Sequence, residues 1–313
     1  MFAYLVRRVL STIPVMGVVA LAVFSLLYIA PGDPAAIIAG DQASPEDVER
    51  IRASLGLDRP FLVRFFEWLW HVLHGDLGTS IFTNLPVSHM IAQRIEPTVS
   101  LMTLTLILSL SFAIPMGVIA AWKHGTLVDR AVMTLAVFGY STPVFVVGYL
   151  LAYFFALQLD WLPVQGFTSI TEGLGPFLRN LILPAVALGL IYMALIARIT
   201  RATMLDVLSQ DYVRTAKAKG VAQKGILFVH ALKNAAVPIV TIVGIGFATL
   251  IGGSVVTESV FAIPGLGRLT VDAILRRDYP VIQGVILIAS LAYVLINLLI
   301  DVAYAFLDPR IRY

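Results

Sequence analysis

Between two long apolar runs the sequence places DYVRTAKAKG, residues 211–220: one acid, three basic side chains and a closing glycine. Those residue types belong outside lipid, and their chemistry is ion pairing and docking, not bond making. A second set is the hydroxyls Ser141, Thr142, Thr249, Ser254 and Thr257, in or near segments without charge. They can hydrogen-bond a passing solute or simply pack helices in lipid. A third is the turn Pro264-Gly265-Leu266-Gly267-Arg268, followed by a short amphipathic segment that ends at RRDYP. It suits a gate or a loop capping a bundle. His71 and His74 stand three apart with no third ligand in view, so a metal site is rejected. No cysteine is present, which removes thiolate catalysis and disulfides. Gly220 and Gly225 have the spacing that opens a phosphate loop, but Ile226 and Leu227 stand where Lys and Ser/Thr are needed. Neither H-E-x-x-H nor G-x-S-x-G occurs, and the expectation is a chain that catalyses nothing itself.

The elements that must carry these residues are membrane spans. The chain is 59% hydrophobic and 13% charged, with a mean hydropathy of +0.89. That composition excludes an ordinary soluble domain. Crossing the roughly 30 Å hydrocarbon core takes about 20 apolar residues as a helix. Six stretches free of Asp, Glu, Lys and Arg approach or exceed this length: 9–32, 97–122, 131–159, 180–197, 234–257 and 279–300. The fold class expected is therefore all-α integral membrane with six transmembrane helices in one domain, 1–313. With both termini cytoplasmic, thirteen Lys/Arg fall on inner segments and four on the two short outer loops, which is the bias that orients membrane proteins. The remaining five lie in a long extracytoplasmic loop, 33–96, beside nine acids. The first apolar run is too long for the core of a cleaved signal peptide and reads as a retained span. The net charge of +3 follows from this bias and argues for a membrane, not for nucleic acid.

Within the 33–96 loop, SPEDVERIRASLG has Ser44 as N-cap, Pro45 at the first helical position and Gly56 as the stop. PFLVRFFEWLWHVLHG follows, with Phe61, Phe65, Trp68, Leu69 and Val72 on one helical face and Gly75 at its end. Such a helix lies in the membrane interface or packs onto the bundle. Prolines punctuate the spans at Pro14, Pro115, Pro143, Pro184 and Pro238. Pro115 and Pro143 are placed inside helices, where each frees a carbonyl and permits a kink for packing or for movement.

Arg198, Glu258 and Asp301 are placed at helix ends, so no ionisable group stands mid-membrane to take up a proton. A proton-coupled carrier is disfavoured; sodium coupling through carbonyls stays open. If solute moves uphill, the energy must come from another chain. Leu205, Leu208, Tyr212 and Ala216 form one stripe of a helix over 204–219, closed by Gly220. A second short helix follows from Ala222 to Asn234, before Pro238 opens the fifth span. On spacing alone this coupling loop, 198–233, is either a solvated basic loop or a docking element. Driving a two-state transporter from 1:99 to 99:1 takes about 5.5 kcal/mol. An exposed ion pair contributes roughly 0–1 kcal/mol. Burying about 200 Å² of apolar surface gives roughly 5 kcal/mol. A turn pressed into a partner's groove can transmit the force where a few lysines cannot.

The 211–234 segment resembles the EAA loop of ABC importer permeases. Arg214, Thr215 and Ala216 take the EAA positions and Gly220 the glycine, with His230-Ala-Leu-Lys233 where I-x-L-P falls. Those departures are similar to the dipeptide/oligopeptide branch of the family. So are YLVRR (4–8), APGDP (30–34), LGLDRP (55–60), HGDLGTS (74–80), STPVF (141–145), IARITRATMLDVL (196–208), FAIPGLGRL (261–269) and RDYPVIQG (277–284).

The resemblance implies a permease of the bacterial-type cytoplasmic membrane, paired with a second homologous permease. Two cytoplasmic ABC ATPases that hold ATP and Mg, and an extracytoplasmic solute-binding protein, complete the importer. No cofactor is expected on this chain itself. It assigns ATPase coupling to Asp211, Tyr212, Arg214, Thr215, Ala216, Lys217, Gly220, Gln223 and Lys224. Asp211 is a candidate for the missing Glu. Pro264, Gly265, Gly267 and Arg268 become an outer gate or binding-protein contact, and the five hydroxyls a translocation path. Peptides are the expected cargo, with a nickel chelate or other small solute as the alternative. A membrane receptor or scaffold is the rival from another class.

Overall fold

The computed structural model describes residues 2–29, 34–39, 44–54 and 57–307; the expected stop at Gly56, most of APGDP and the basic pair Arg310 and Arg312 lie outside them. The described chain is helical almost throughout. Its elements are α1 (Phe2–Ile29), α2 (Pro34–Ala39), α3 (Pro45–Ser54), α4 (Phe61–Leu73), α5 (Val87–Trp122), α6 (Leu127–Ser141) and α7 (Val144–Leu151). After them come α8 (Leu174–Leu208), α9 (Asp211–Ala218), α10 (Gln223–Gly225), α11 (Leu232–Val260), α12 (Leu266–Arg276) and α13 (Tyr279–Leu307). Among the described residues, five helices are long and apolar enough to cross a membrane, in α1, α5, α8, the continuous run Gln223–Val260, and α13. A further pair, Leu127–Ser141 and Val144–Gln158, is apolar enough when taken together but is bent by 101°, so the count is six if the pair is one span.

That bend interrupts the helix expected over 131–159. Pro143 does not sit inside a helix; it is the N-cap of α7. A proline's ring disfavours the helical region for the residue before it. Thr142 accordingly adopts φ −87°, ψ 125°, and its hydroxyl donates to the Phe138 carbonyl at 2.9 Å. Pro115 does lie within a continuous helix, as do Pro97, Pro184 and Pro238. Other boundaries move outward. The loop expected over 33–96 gives way to α5 at Val87 rather than at 97, and α8 runs from Leu174 to Leu208 instead of 180–197. Helices continue past the apolar windows because a charged residue ends the lipid-compatible stretch, not the backbone hydrogen bonding. For the same reason Arg198 and Asp301 stand inside α8 and α13 and not at their ends.

The chain divides into two compact units. The larger comprises residues 1–5, 95–268 and 295–313, and α8 is its centre, packed against α6, α7 and α11. Leu101 and Met102 of α5, Leu181 and Leu188 of α8, and Leu250 of α11 share one buried cluster with Phe261 and Ile263. A second cluster gathers Val118, Ala121, Met204, Leu227, Ala231, Ala235 and Ile239. Small residues set the helix spacing: a Cβ on Gly117 would stand 2.6 Å from Thr200 Cβ and 2.7 Å from the Ala197 carbonyl oxygen.

The second unit, residues 6–94 and 269–294, holds most of α1 together with α2, α3 and α4. The face of α4 read from its period is the one that packs. Phe61, Phe65, Trp68, Leu69 and Val72 meet Ala20, Val23 and Phe24 of α1 and Leu287 of α13. The rings of Phe24 and Phe65 lie 5.6 Å apart, edge to face. The opposite stripe of α4, with Leu62, Phe66 and Trp70, is exposed. In the same unit buried Ser80 donates to the Asp278 carboxylate at 2.5 Å, joining HGDLGTS to RDYP.

Candidate functional site

The polar stretch is built as a short helix on an apolar root. Gln210, in extended geometry (φ −72°, ψ 148°), separates α8 from α9, so the single helix expected over 204–219 is two. The break rotates the stripe. Leu205 and Leu208 pack on the inner cluster, but Tyr212 turns out to solvent and Val213 is the buried residue of α9. Asp211 in the first turn and Lys217 in the last complement the helix dipole. Gly220 at φ +79° closes α9 as a Schellman cap: its N–H donates to the Lys217 carbonyl at 3.0 Å, and the Val221 N–H to that of Ala216 at 3.2 Å. Any residue with a Cβ would be strained there.

Beyond the cap, α10 passes through a π-helical turn (Ile226–Ala231) straight into α11. The second short helix is thus the start of the fifth span, and residues 198–208 and 223–233 of the expected loop are helical continuations of spans. Ile226 and Leu227 are buried beneath, whereas Tyr212, Arg214, Thr215, Lys217, Gln223 and Lys224 are exposed together around the turn and Ala216 is half-buried. Asp211 and Arg214 approach to 3.6 Å with both side chains largely in water, which contributes little to stability. Each stays available to a partner.

The five hydroxyls do not form one lining. Ser141 is exposed and Thr142 half-buried at the break between α6 and α7. Thr249 is exposed and receives a hydrogen bond from the Tyr192 hydroxyl at 3.2 Å. Ser254 and Thr257 are packed inside the unit, with Ser254 donating to the Ile251 carbonyl at 3.0 Å.

At the far end of α11 the chain turns sharply through Ala262, at φ +49°, into Pro264-Gly265-Leu266-Gly267-Arg268. Glu258, fully buried, sends its carboxylate into this turn. Thr98 of α5 donates to Oε1 at 2.7 Å and the Arg268 N–H to Oε2 at 2.9 Å. The Leu266 N–H donates to the Thr98 hydroxyl at 2.8 Å, closing the network. The glycines are required by proximity. A Cβ on Gly265 would stand 2.3 Å from Glu258 Cδ, and one on Gly267 2.6 Å from Val255 Cα.

Sequence reasoning placed Glu258 only at a helix end and missed both Thr98 and a second polar node. In that node Arg201 of α8 grips Asp129 of α6 with two bonds, Nε–Oδ1 at 2.5 Å and Nη2–Oδ2 at 2.7 Å. The Gly125 N–H and His124 complete the node. A lone acid at the end of an apolar run, six residues before Pro-Gly-Leu-Gly, was the available signal for the first. Opposite charges flanking two spans were the signal for the second. Asp129→Ala would leave Arg201 without its buried counter-charge. We expect a loss of about 2 kcal/mol, below the 3–5 of fully buried pairs because Arg201 is partly exposed. Thermal unfolding of the purified protein measures it.

Polytopic helices, a basic helix-turn on an apolar root and a pinned glycine turn define a membrane component of a transport machine. A family profile described as "Binding-protein-dependent transport system inner membrane component" matches residues 113–313, and the N-terminal profile of the same components matches residues 1–102. The chain belongs to this family of multi-pass inner-membrane permeases. It is 56% identical over 313 residues to a probable peptide ABC transporter permease protein of Sinorhizobium fredii, covering all of both chains. It is 47% identical to a putative peptide transport system permease protein of Brucella abortus, again over the full length of both. With the glutathione transport system permease protein GsiC of Salmonella choleraesuis it shares 44% over all of both. Among solved structures, the inward-facing MetNI methionine ABC transporter matches at a TM-score of 0.59 and 17% identity. That match covers 70% of this chain and 96% of the other, a likeness of fold.

Proposed function

We propose that this chain is the permease subunit of a peptide importer, forming the translocation path with a second permease. Cytoplasmic ATPases drive it and an extracytoplasmic binding protein loads it. The observation that carries the reading is α9: an exposed helix-turn of mixed charge, rooted by Val213 and shaped by the Gly220 cap, at the junction of two spans. Such an element presents a defined shape to a partner's groove and passes its motion to α8 and α11 directly. The full-length likeness to peptide and glutathione permeases supports a peptide cargo. In this reading both termini are cytoplasmic, the whole chain is one permease domain, and ATP and Mg stay with the ATPases. The Ser141–Thr142 break and Thr249 border the path. Pro264, Gly265, Gly267 and Arg268 lie on the outer side.

The direct test is reconstitution with the partner chains in vesicles, followed by uptake of labelled peptide with and without ATP. Uptake is expected only with ATP, and accumulation by this chain alone under an ion gradient would refute the reading. Asp211 offers the sharper check. Its carboxylate is free of strong partners and stands one turn before Arg214, where it can supply the acid that the EAA pattern places at Arg214. Asp211→Ala is expected to reduce peptide uptake about tenfold, the scale of a charge-assisted hydrogen bond. ATP hydrolysis and assembly persist in that variant. Wild-type uptake by it removes Asp211 from the coupling contact.

A further inference from the structure

We infer that Glu258 and Thr98 are positioning residues for transport: together they pin the 261–268 turn to helices α5 and α11, so that helix movement and turn movement are one event. This deepens the importer reading and rests on it. Three observations converge. First, Glu258 is fully buried, yet its carboxylate is met by a hydroxyl from α5 at 2.7 Å and a backbone N–H from the start of α12 at 2.9 Å. A buried carboxylate is tolerated only when such donors replace water, so its position dictates where they must be. Second, Thr98, itself buried, bonds in both directions: it donates to Glu258 and accepts from the Leu266 N–H at 2.8 Å. One hydroxyl therefore couples α5 to the turn and to α11. Third, the turn is moulded on the carboxylate. Gly265 and Gly267 leave no room for a Cβ beside it, and the Ile263 N–H returns to the Glu258 carbonyl at 2.8 Å.

The consequence is mechanical. A turn held only by its own backbone could adapt to a docked protein without disturbing the spans. Held by Glu258 and Thr98, it cannot shift unless α5 and α11 shift with it. The pin thus converts docking of the binding protein on the outer face into displacement of the path-forming helices, and from there toward α9.

The test uses the reconstituted complex with its ATPases and binding protein. It measures the ratio of ATPase rates with and without loaded binding protein, alongside peptide uptake. Thr98→Val removes both hydroxyl bonds at nearly constant volume; Thr98→Ser retains them; Glu258→Gln keeps the shape but removes one acceptor. Thr98→Val and Glu258→Gln are expected to lower the stimulation ratio about tenfold, as the loss of a hydrogen bond to a charged group implies. Thr98→Ser should restore it. Full stimulation in assembled Thr98→Val and Glu258→Gln complexes overturns the inference. Failure of both to assemble also overturns it, in favour of a purely structural bond. If Glu258→Gln alone fails to assemble, Thr98→Val decides by the same ratio. A wild-type complex with no ATP-dependent uptake would instead sink the importer reading, so the two failures are distinguishable.

Discussion

Val213→Asp is expected to abolish ATP-driven uptake, with a fall of at least about 100-fold. Val213 is the one α9 side chain that is fully buried, and it seats the helix against the π-helical turn at Ile226–Ala231. Burying a valine contributes roughly 1.5–3 kcal/mol. Burying an unpaired carboxylate in its place costs several kcal/mol. The cheaper outcome is for α9 to lift off its root. An eight-residue helix without tertiary support is marginal in water, so the lifted segment unwinds. With it goes the fixed shape that, as the proposed coupling element, would transmit the energy needed to throw a transporter between its two states, about 5.5 kcal/mol. Val213→Ala keeps the site apolar and should retain most uptake. Two measurements decide: peptide uptake in vesicles, and tryptic cleavage at Lys217 and Lys219, which should accelerate in Val213→Asp alone. Wild-type transport by Val213→Asp would show that α9 is not the coupling element.

What the sequence disclosed and what it hid divide along a physical line. Local periodicity was legible. The buried face of α4 follows from apolar residues recurring at helical spacing between Phe61 and Val72, and the structure packs those residues. The turn at Gly220 was legible because a glycine closing a helical run has few other uses. The interruptions were harder. Nothing marks Ser209–Gln210 as a break, since neither proline nor glycine stands there and the spacing runs on through it. Only tertiary seating of Val213 favours the rotated register. At Thr142–Pro143 the signal was present but ambiguous, because a membrane proline can kink a helix or end it. The 101° bend shows that it ends one here.

The polar nodes were hidden for a different reason. Glu258 and Thr98 are 160 residues apart, and Asp129 and Arg201 are 72 apart. No local pattern can pair such groups; only the helix packing brings them together. Their residue types still carried information. A charge that packing takes out of water is costly unless something receives it, so each buried one implies a partner elsewhere in the chain. That argument identifies which residues need partners without saying which partners they have.

Helix packing is also where the second large effect is expected. α5 crosses α8 at Gly117, where a Cβ would stand 2.6 Å from Thr200 Cβ and 2.7 Å from the Ala197 carbonyl oxygen. Close approach through small residues is a main source of helix association in lipid, where the hydrophobic effect does not favour protein over acyl chains. Gly117→Val forces the helices apart and strips contacts on both sides of the crossing, including those of fully buried Thr200. Overpacking of this kind typically costs about 1–3 kcal/mol, and the upper end is expected because one obstacle is backbone. Gly117→Ala should cost less but still register, since its single added carbon meets both atoms. The nature of the clash permits a discriminating control. Thr200→Ser removes only Cγ2, which lies 2.9 Å from the added carbon, and leaves the nearer Cβ and the Ala197 oxygen in place. It should therefore rescue Gly117→Ala only slightly. Thermal unfolding of the single and double variants reads this out. Full rescue by Thr200→Ser would mean that a side chain, not the α8 backbone, sets the α5–α8 distance, and that the two helices can approach and part more freely than this crossing implies.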